Sequence, residues 1–174
     1  MRRFLVSLLL CAAAAWTSAQ DVALEYHVKA AYLFNFTKFI DWPVTATGGR
    51  NSFSICVAER SPFGPTLSAT LVGETAAGLP LASRVVSASQ ASSCQILFVP
   101  RGVAAAPYLR GIGAAPVLTV GESPDFLAQG GAINFVLDGG RVRFEINQAA
   151  AERSQLRVSS RLLQLGRGND SRGE

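Results

Sequence analysis

The sequence predicts an α/β fold in a single compact domain, with a mixed, mostly parallel sheet flanked by helices and a C-terminal antiparallel hairpin. Two observations predict this class. Short apolar runs alternate with helical stretches at intervals of about 20–25 residues, which is the pattern of parallel strands joined by helices. Near the C-terminus, two segments of alternating polarity flank Asp138-Gly139-Gly140, whose glycines suit a tight hairpin turn.

The N-terminal segment has the features of a cleavable signal peptide. Arg2 and Arg3 provide a positive start, an uncharged apolar run follows, and small residues precede a cleavage point after Ala19. The apolar run holds about a dozen residues, short of the roughly 20 needed to span a bilayer. We therefore predict export to the periplasm, and an uncleaved N-terminal anchor is the alternative.

The chain divides into a signal peptide over residues 1–19, a domain over 20–166 and a flexible polar tail over 167–174. The mature part, about 155 residues, is long enough for one domain with its own core. The formal net charge is +4, and cleavage removes two arginines from it. The remaining basic residues are scattered without forming a stripe, so nucleic-acid binding is not predicted.

The first element of the mature chain is an aromatic helix in Glu25–Pro43, which holds six of the chain's fifteen aromatic residues. Its apolar residues recur at spacings of three and four, the pattern of an amphipathic helix over 25–40. The predicted core stripe consists of Val28, Tyr32, Phe36, Phe39 and Ile40. Pro43 ends the helix, because the residue before a proline disfavours helical angles.

The opposite side of this helix is the candidate partner-binding surface. His27 and Ala31 lie on it together with Asn35 and Lys38, and Trp42 follows where the helix ends. We predict partner contacts through Asn35, Lys38 and Trp42. Docking of the aromatic residues themselves on a partner is the alternative to core packing.

The remaining elements follow in a regular order. Strands are predicted at Phe53–Ala58, Ala82–Ala88, Cys94–Val99 and Val117–Val120, and the hairpin strands at Ala132–Leu137 and Arg141–Ile146. Helices are predicted at Phe63–Val72, around Val103–Gly111, and at Gln148–Arg153 and Arg161–Leu165. The last two have candidate N-caps in Asn147 and in either Ser159 or Ser160.

Two cysteines remain after cleavage, Cys56 and Cys94. An even count in an oxidising compartment predicts one disulfide. Closing a loop of about 38 residues corresponds to on the order of 4 kcal/mol in the chain-entropy model. Two buried free thiols are the alternative. A metal site is not predicted, since His27 is the only histidine and no Cys-x-x-Cys occurs.

Catalysis is not predicted from any residue pattern, and neither is a cofactor. A serine triad would have to use His27 and lacks the G-x-S-x-G elbow. A thiol nucleophile would compete with disulfide formation. Glu122 and Asp125 lie in a Ser/Pro/Gly-rich segment, where acidic residues usually form solvated turns.

The loop 121–131 is a candidate ligand site, because it follows a strand and ligands of open α/β sheets bind at the carboxyl ends of strands. It contains no G-x-G-x-x-G or Walker A pattern, so nucleotide binding is not predicted. A plain connection into the hairpin is the alternative. The candidate ligand residues are Arg84, Gly121, Glu122 and Gly130, with Arg101 and Arg110 as further partners for an anion.

Five blocks in order carry a family resemblance: EYHVKAAYLFNFTKFIDWP, FSICVAERSPFG, CQILFV, VLTVGESPDFLAQGGAINFVLDGGRVRFEIN and VSSRLLQLG. Together they cover Glu25 to Gly166. In this order they resemble the YfiR-like periplasmic proteins, regulators of bacterial cyclic-di-GMP signalling. The resemblance implies a non-catalytic α/β domain that represses a membrane-bound diguanylate cyclase by contacting its periplasmic part, which lowers cyclic-di-GMP and biofilm formation.

The resemblance also implies further partners. An outer-membrane, peptidoglycan-associated lipoprotein sequesters such repressors, and family members tend to form homodimers. Cys56 and Cys94 match the family's disulfide that ties the first strand to a later one. A second cysteine pair of the family's type member is missing here, so redox regulation through it does not carry over. The alternative function is a periplasmic small-ligand-binding sensor without a cyclase partner.

Overall fold

A computed structural model describes residues 2–168 of the chain and the side chains of residues 20–166. Its helices are α1 (Arg2–Phe39), α2 (Val44–Thr47), α3 (Thr66–Leu71), α4 (Ala105–Ile112), α5 (Gln148–Arg153) and α6 (Ser160–Leu165), with a 3₁₀ helix at Ala88–Ser93. Its strands are β1 (Ile40–Asp41), β2 (Phe53–Ala58), β3 (Thr75–Ala76), β4 (Leu79–Val86), β5 (Ile96–Val99), β6 (Leu118–Gly121), β7 (Ile133–Asp138), β8 (Arg141–Ile146), β9 (Arg157–Val158) and β10 (Arg167–Gly168).

The main sheet has eight strands in the order β10-β8-β7-β6-β5-β2-β4-β3. The five strands from β7 to β4 in this order run parallel to one another. Strand β8 runs antiparallel to β7 and forms the predicted hairpin. The predicted mixed, mostly parallel sheet is confirmed. A second sheet, which sequence reasoning did not predict, pairs β1 with β9.

Apolar side chains cover both faces of the sheet. Helices α1 and α3 pack on one face together with the hairpin side chains. The 3₁₀ helix, α4 and Phe126 pack on the other face, which also carries the cysteines. Strands β2 and β5 are buried at every position because both of their faces are covered.

The two C-terminal helices begin at side-chain caps. The Asn147 side chain accepts a hydrogen bond from the Ala150 N–H, as predicted. Of the two candidate serines before α6, Ser159 is the cap and accepts from the Leu162 N–H. Each cap satisfies one of the unpaired N–H groups in the first helical turn.

The buried stripe of α1 differs from the predicted one. Phe36 and Ile40 are buried as expected, but Val28 is 36% exposed and Tyr32 is only partly buried. The fully covered positions are Lys29, Ala30, Leu33, Phe36 and Thr37. The helix is rotated relative to the prediction because it buries a lysine, a residue that a hydrophobic pattern places outside.

The structure bears on only part of what the sequence predicts for the two chain ends. The first two residues of the predicted tail, Arg167 and Gly168, pair with β8 as strand β10, so the sheet extends further than expected. The rest of the predicted tail lies outside the described residues. Cleavage after Ala19 stays a prediction. Within the described part of the chain, no helix is both long and apolar enough to cross a membrane.

Candidate functional site

A buried cluster of charged side chains lies where α1 crosses the carboxyl ends of β5 and β6. Lys29 is 1% exposed and Glu122 is 3% exposed. The Lys29 ammonium forms ion pairs with the carboxylates of Glu122 and Glu25. Two carboxylates therefore surround one buried ammonium group. Their attraction compensates the hydration that Lys29 loses on burial.

Local structure positions each member of this cluster. Glu25 and Lys29 are one helical turn apart on α1 and therefore share a face. Glu122 comes directly after β6, and its Oε1 accepts two further hydrogen bonds. The Arg101 backbone N–H donates to it over 2.8 Å, and the Tyr26 hydroxyl donates over 3.0 Å. The cluster thus connects α1 to the segments that follow two neighbouring strands.

The Tyr26 phenol is held in its protonated form. Burial raises its pKa far above the ordinary value of 10.0, and the charge of Glu122 and the hydrogen bond to it add to the effect. The Lys29 ammonium also lies 4.6 Å from the centre of the Tyr26 ring. Because both carboxylate oxygens of Glu122 have hydrogen-bond partners, this arrangement fixes α1 on the sheet.

The predicted ligand loop is filled by one of its own side chains. Phe126 is 1% exposed and lies between Gly121 and Gly131. A Cβ added to Gly121 would approach the Phe126 ring to 2.3 Å, and one added to Gly131 would approach it to 2.1 Å. Gly130 has a φ of 102°, which lets the chain turn back toward β7. The glycines of this loop thus make room for Phe126.

Arg84 lies apart from the other predicted ligand residues. It is on β4, opposite Cys56 of β2. Strands β2 and β5 separate it from β6 and Glu122. Its Nη2 atom donates to the Ser93 hydroxyl over 2.6 Å. The structure brings Gly121, Glu122 and Gly130 together beyond the carboxyl end of β6 and does not bring Arg84 to them.

Cys56 and Cys94 form the predicted disulfide, with 6.0 Å between their Cα atoms. Both are buried, at 0% and 1% exposure. Cys56 lies on β2 and Cys94 lies two residues before β5, so the bond ties two adjacent central strands together.

The predicted partner-binding residues lie in two different surroundings. Asn35 and Lys38 are exposed on the outer side of α1. The Lys38 ammonium lies 4.0 Å from the centre of the Phe34 ring. Trp42 is partly buried and packs edge to face on Phe53, with 5.0 Å between the ring centres. Asn35 and Lys38 are therefore open to a partner, whereas Trp42 is partly used in packing.

Sequence reasoning missed an exposed apolar groove between α1 and the hairpin. It has a volume of about 720 Å³, and Arg141 and Arg143 are among its lining residues. Val22, Leu24 and Leu137 line it with exposures of 52%, 65% and 49%. Contiguous exposed apolar surface marks sites of protein contact. No repeat or motif indicates this groove, because it forms between segments more than a hundred residues apart.

Fold and site together define a doubly wound α/β domain with an internally satisfied polar cluster, a disulfide between central strands and open surface along its first helix. The chain belongs to the YfiR/HmsC-like family, whose model matches residues 26–167. Family membership indicates a regulatory role in the periplasm. No curated protein matches the sequence significantly.

A solved structure with the same fold supports this architecture. It is the crystal structure of a conserved domain protein from Vibrio cholerae O1 biovar El Tor, which is 10% identical and superposes with a TM-score of 0.50. The superposition covers 72% of this chain and 56% of that chain, so this chain matches about half of the Vibrio protein. At this identity, the likeness concerns the fold alone.

Proposed function

We propose that this protein represses a membrane-bound diguanylate cyclase by binding its periplasmic part, and so lowers cyclic-di-GMP and biofilm formation. The observation that carries the proposal is the match to the YfiR/HmsC-like family over residues 26–167. The protein acts by contact and not by catalysis. The contacts of Glu122 and Tyr26 support this view, because this buried polar cluster positions a helix.

The partner contacts that we propose lie on the outer side of α1. Asn35 and Lys38 are exposed there, and the end of the helix presents Trp42. A homodimer and capture by an outer-membrane, peptidoglycan-associated lipoprotein belong to the same proposal, since both accompany the family's mode of repression.

Deletion of the gene tests the function itself. We expect cyclic-di-GMP to rise in a strain that encodes a diguanylate cyclase with a periplasmic region, and complementation to restore the low level. An unchanged level in a strain that expresses this cyclase contradicts the proposal. Mass spectrometry of nucleotide extracts provides the measurement.

Complementation with an Asn35→Ala/Lys38→Glu variant tests the surface. We expect cyclic-di-GMP to stay high and co-purification with the cyclase to be lost, while the folded variant accumulates normally. The matched control is Arg110→Glu, a charge reversal at an exposed position of α4. If Asn35→Ala/Lys38→Glu represses normally and Leu24→Glu/Leu137→Glu does not, the contact lies in the groove and the assignment to Asn35 and Lys38 is wrong.

A further inference from the structure

The parallel part of the sheet has a topological switch point between β2 and β5. From β2 the chain passes to β4 on one side, and from β5 it passes to β6 on the other side. The order β4-β2-β5-β6-β7 is therefore 2-1-3-4-5 in chain order. In sheets of this order, the segments that follow the two strands at the switch point diverge and leave a crevice in which ligands bind.

A cleft occupies this position. Its volume is about 540 Å³, within the range of small-molecule sites. Residues directly after β2 form one wall, and residues directly after β5 form the other. The lining includes Tyr26, Glu59, Arg60, Pro62, Arg101 and Val103. This cleft is separate from the loop filled by Phe126.

The charged groups of the cleft favour an anion. Arg60 and Arg101 are exposed, one on each wall, and within the part of the chain that the structure describes neither guanidinium forms an ion pair. Glu59 is the one acidic residue of the lining, so the two arginines leave a positive excess. The hydroxyl of Tyr26 is committed to Glu122, and Lys29 offsets one of the two negative charges of Glu122 and Glu25 beside the cleft. Two unpaired guanidiniums across a cleft suit a carboxylate or a phosphate.

The backbone at the cleft is held in unusual conformations. Glu59 has a φ of 56°, and the Arg60 N–H donates to the Ala58 carbonyl over 2.7 Å, which makes a tight three-residue turn. Such conformations in residues other than glycine concentrate at binding sites. The hydrogen bond from the Arg101 N–H to the buried Glu122 fixes the opposite wall. The backbone that carries each arginine is therefore held in place.

We infer that the cleft between the β2 and β5 segments binds a small organic anion, held by Arg60 and Arg101 through its carboxylate or phosphate group. This site would make the protein sensitive to a metabolite. It does not depend on the identity of the protein partner.

Thermal-shift and calorimetric titrations of the mature protein test the site. The probes are inorganic phosphate, glycerol 3-phosphate and succinate, with sodium chloride matched to the same ionic strength. We expect at least one probe to raise the melting temperature beyond the chloride control. Phosphate compounds acting alone identify a phosphate ligand, and succinate acting alone identifies a carboxylate ligand.

The variant Arg60→Gln/Arg101→Gln should weaken that binding by at least about tenfold, since each charge-assisted contact is lost. Arg110→Gln, which removes an exposed arginine elsewhere, should leave it unchanged. All three substitutions are at exposed positions, and circular dichroism checks that the variants are folded. The inference is wrong if no probe acts beyond the chloride control, or if the double variant binds as tightly as the natural protein.

Discussion

Lys29 places a positive charge in the interior of the domain, where α1 meets the sheet. Its partners come from α1 itself through Glu25 and from the end of β6 through Glu122. Moving two charges out of water costs free energy, which their mutual attraction offsets only in a specific geometry. Removal of one partner therefore leaves an uncompensated buried charge. The residue sets both the rotation and the position of α1 on the sheet.

Replacement of Lys29 by Met should lower the free energy of unfolding by about 3–5 kcal/mol, because Glu122 stays buried without its cation. Adding Glu122→Gln should recover part of this loss, with a coupling of about 0.5–3 kcal/mol. Urea denaturation measures both. The matched control is Lys38→Met at an exposed position, expected within about 0.5 kcal/mol. A Lys29→Met variant as stable as this control contradicts the structural role.

At the scale of elements, α1 is anchored by aromatic contacts to the hairpin. The rings of Tyr32 and Phe36 each lie 5.3 Å from the ring of Phe144, and both contacts are edge to face. Phe36 also stacks with Phe135 at 6.0 Å. Helix and hairpin therefore share one cluster of rings, which stabilises the edge of the sheet where β8 follows β7.

Truncation of Phe36 to Ala should cost about 3–5 kcal/mol, because the side chain is fully buried and leaves a cavity. Val28→Ala removes a partly exposed side chain of the same helix and should cost less than about 1 kcal/mol. Chemical denaturation of the two variants distinguishes the observed stripe from the predicted one. Equal losses of unfolding free energy at the two positions would indicate that Val28 belongs to the core.

For the whole molecule, the disulfide links the two central strands on which both cores are built. Cys56 and Cys94 pack with the 3₁₀ helix and α4, on the face opposite α1. The bond closes a separation of 38 residues that includes α3, β3 and β4. The bond closes this loop in the unfolded chain as well, which lowers the entropy gained on unfolding.

The exported protein should be two hydrogen atoms lighter than its reduced form in intact-mass analysis, and Cys56 should resist alkylation in denaturant unless a reductant is added. A Cys56→Ala/Cys94→Ala variant should lose about 4 kcal/mol, mainly through the entropy of its unfolded chain. Free thiols in the natural, exported protein would contradict the bond. Urea denaturation of the oxidised and the double-alanine proteins gives the difference.

Local patterns explain which parts of the fold were predictable. The strand Phe53–Ala58 and the helix Gln148–Arg153 have the predicted bounds, because a short, mostly apolar run and an asparagine cap are local signals. The sequence contains no signal for the two-residue pairing of β1 with β9, because so short a strand has no periodicity. Val28 was misplaced because a pattern of hydrophobicity treats every lysine as exposed.

The sequence alone determined the succession of the main strands and helices along the chain, the disulfide partners and the family, because these depend on local patterns, cysteine count and ordered motifs. The tertiary structure decided which side of α1 is buried and what surrounds Glu122. It also placed Arg60 and Arg101 on opposite walls of one cleft, 41 positions apart in the printed sequence. The physical reason is that ion pairs and switch-point clefts form between segments distant in the chain, and no local pattern records that proximity.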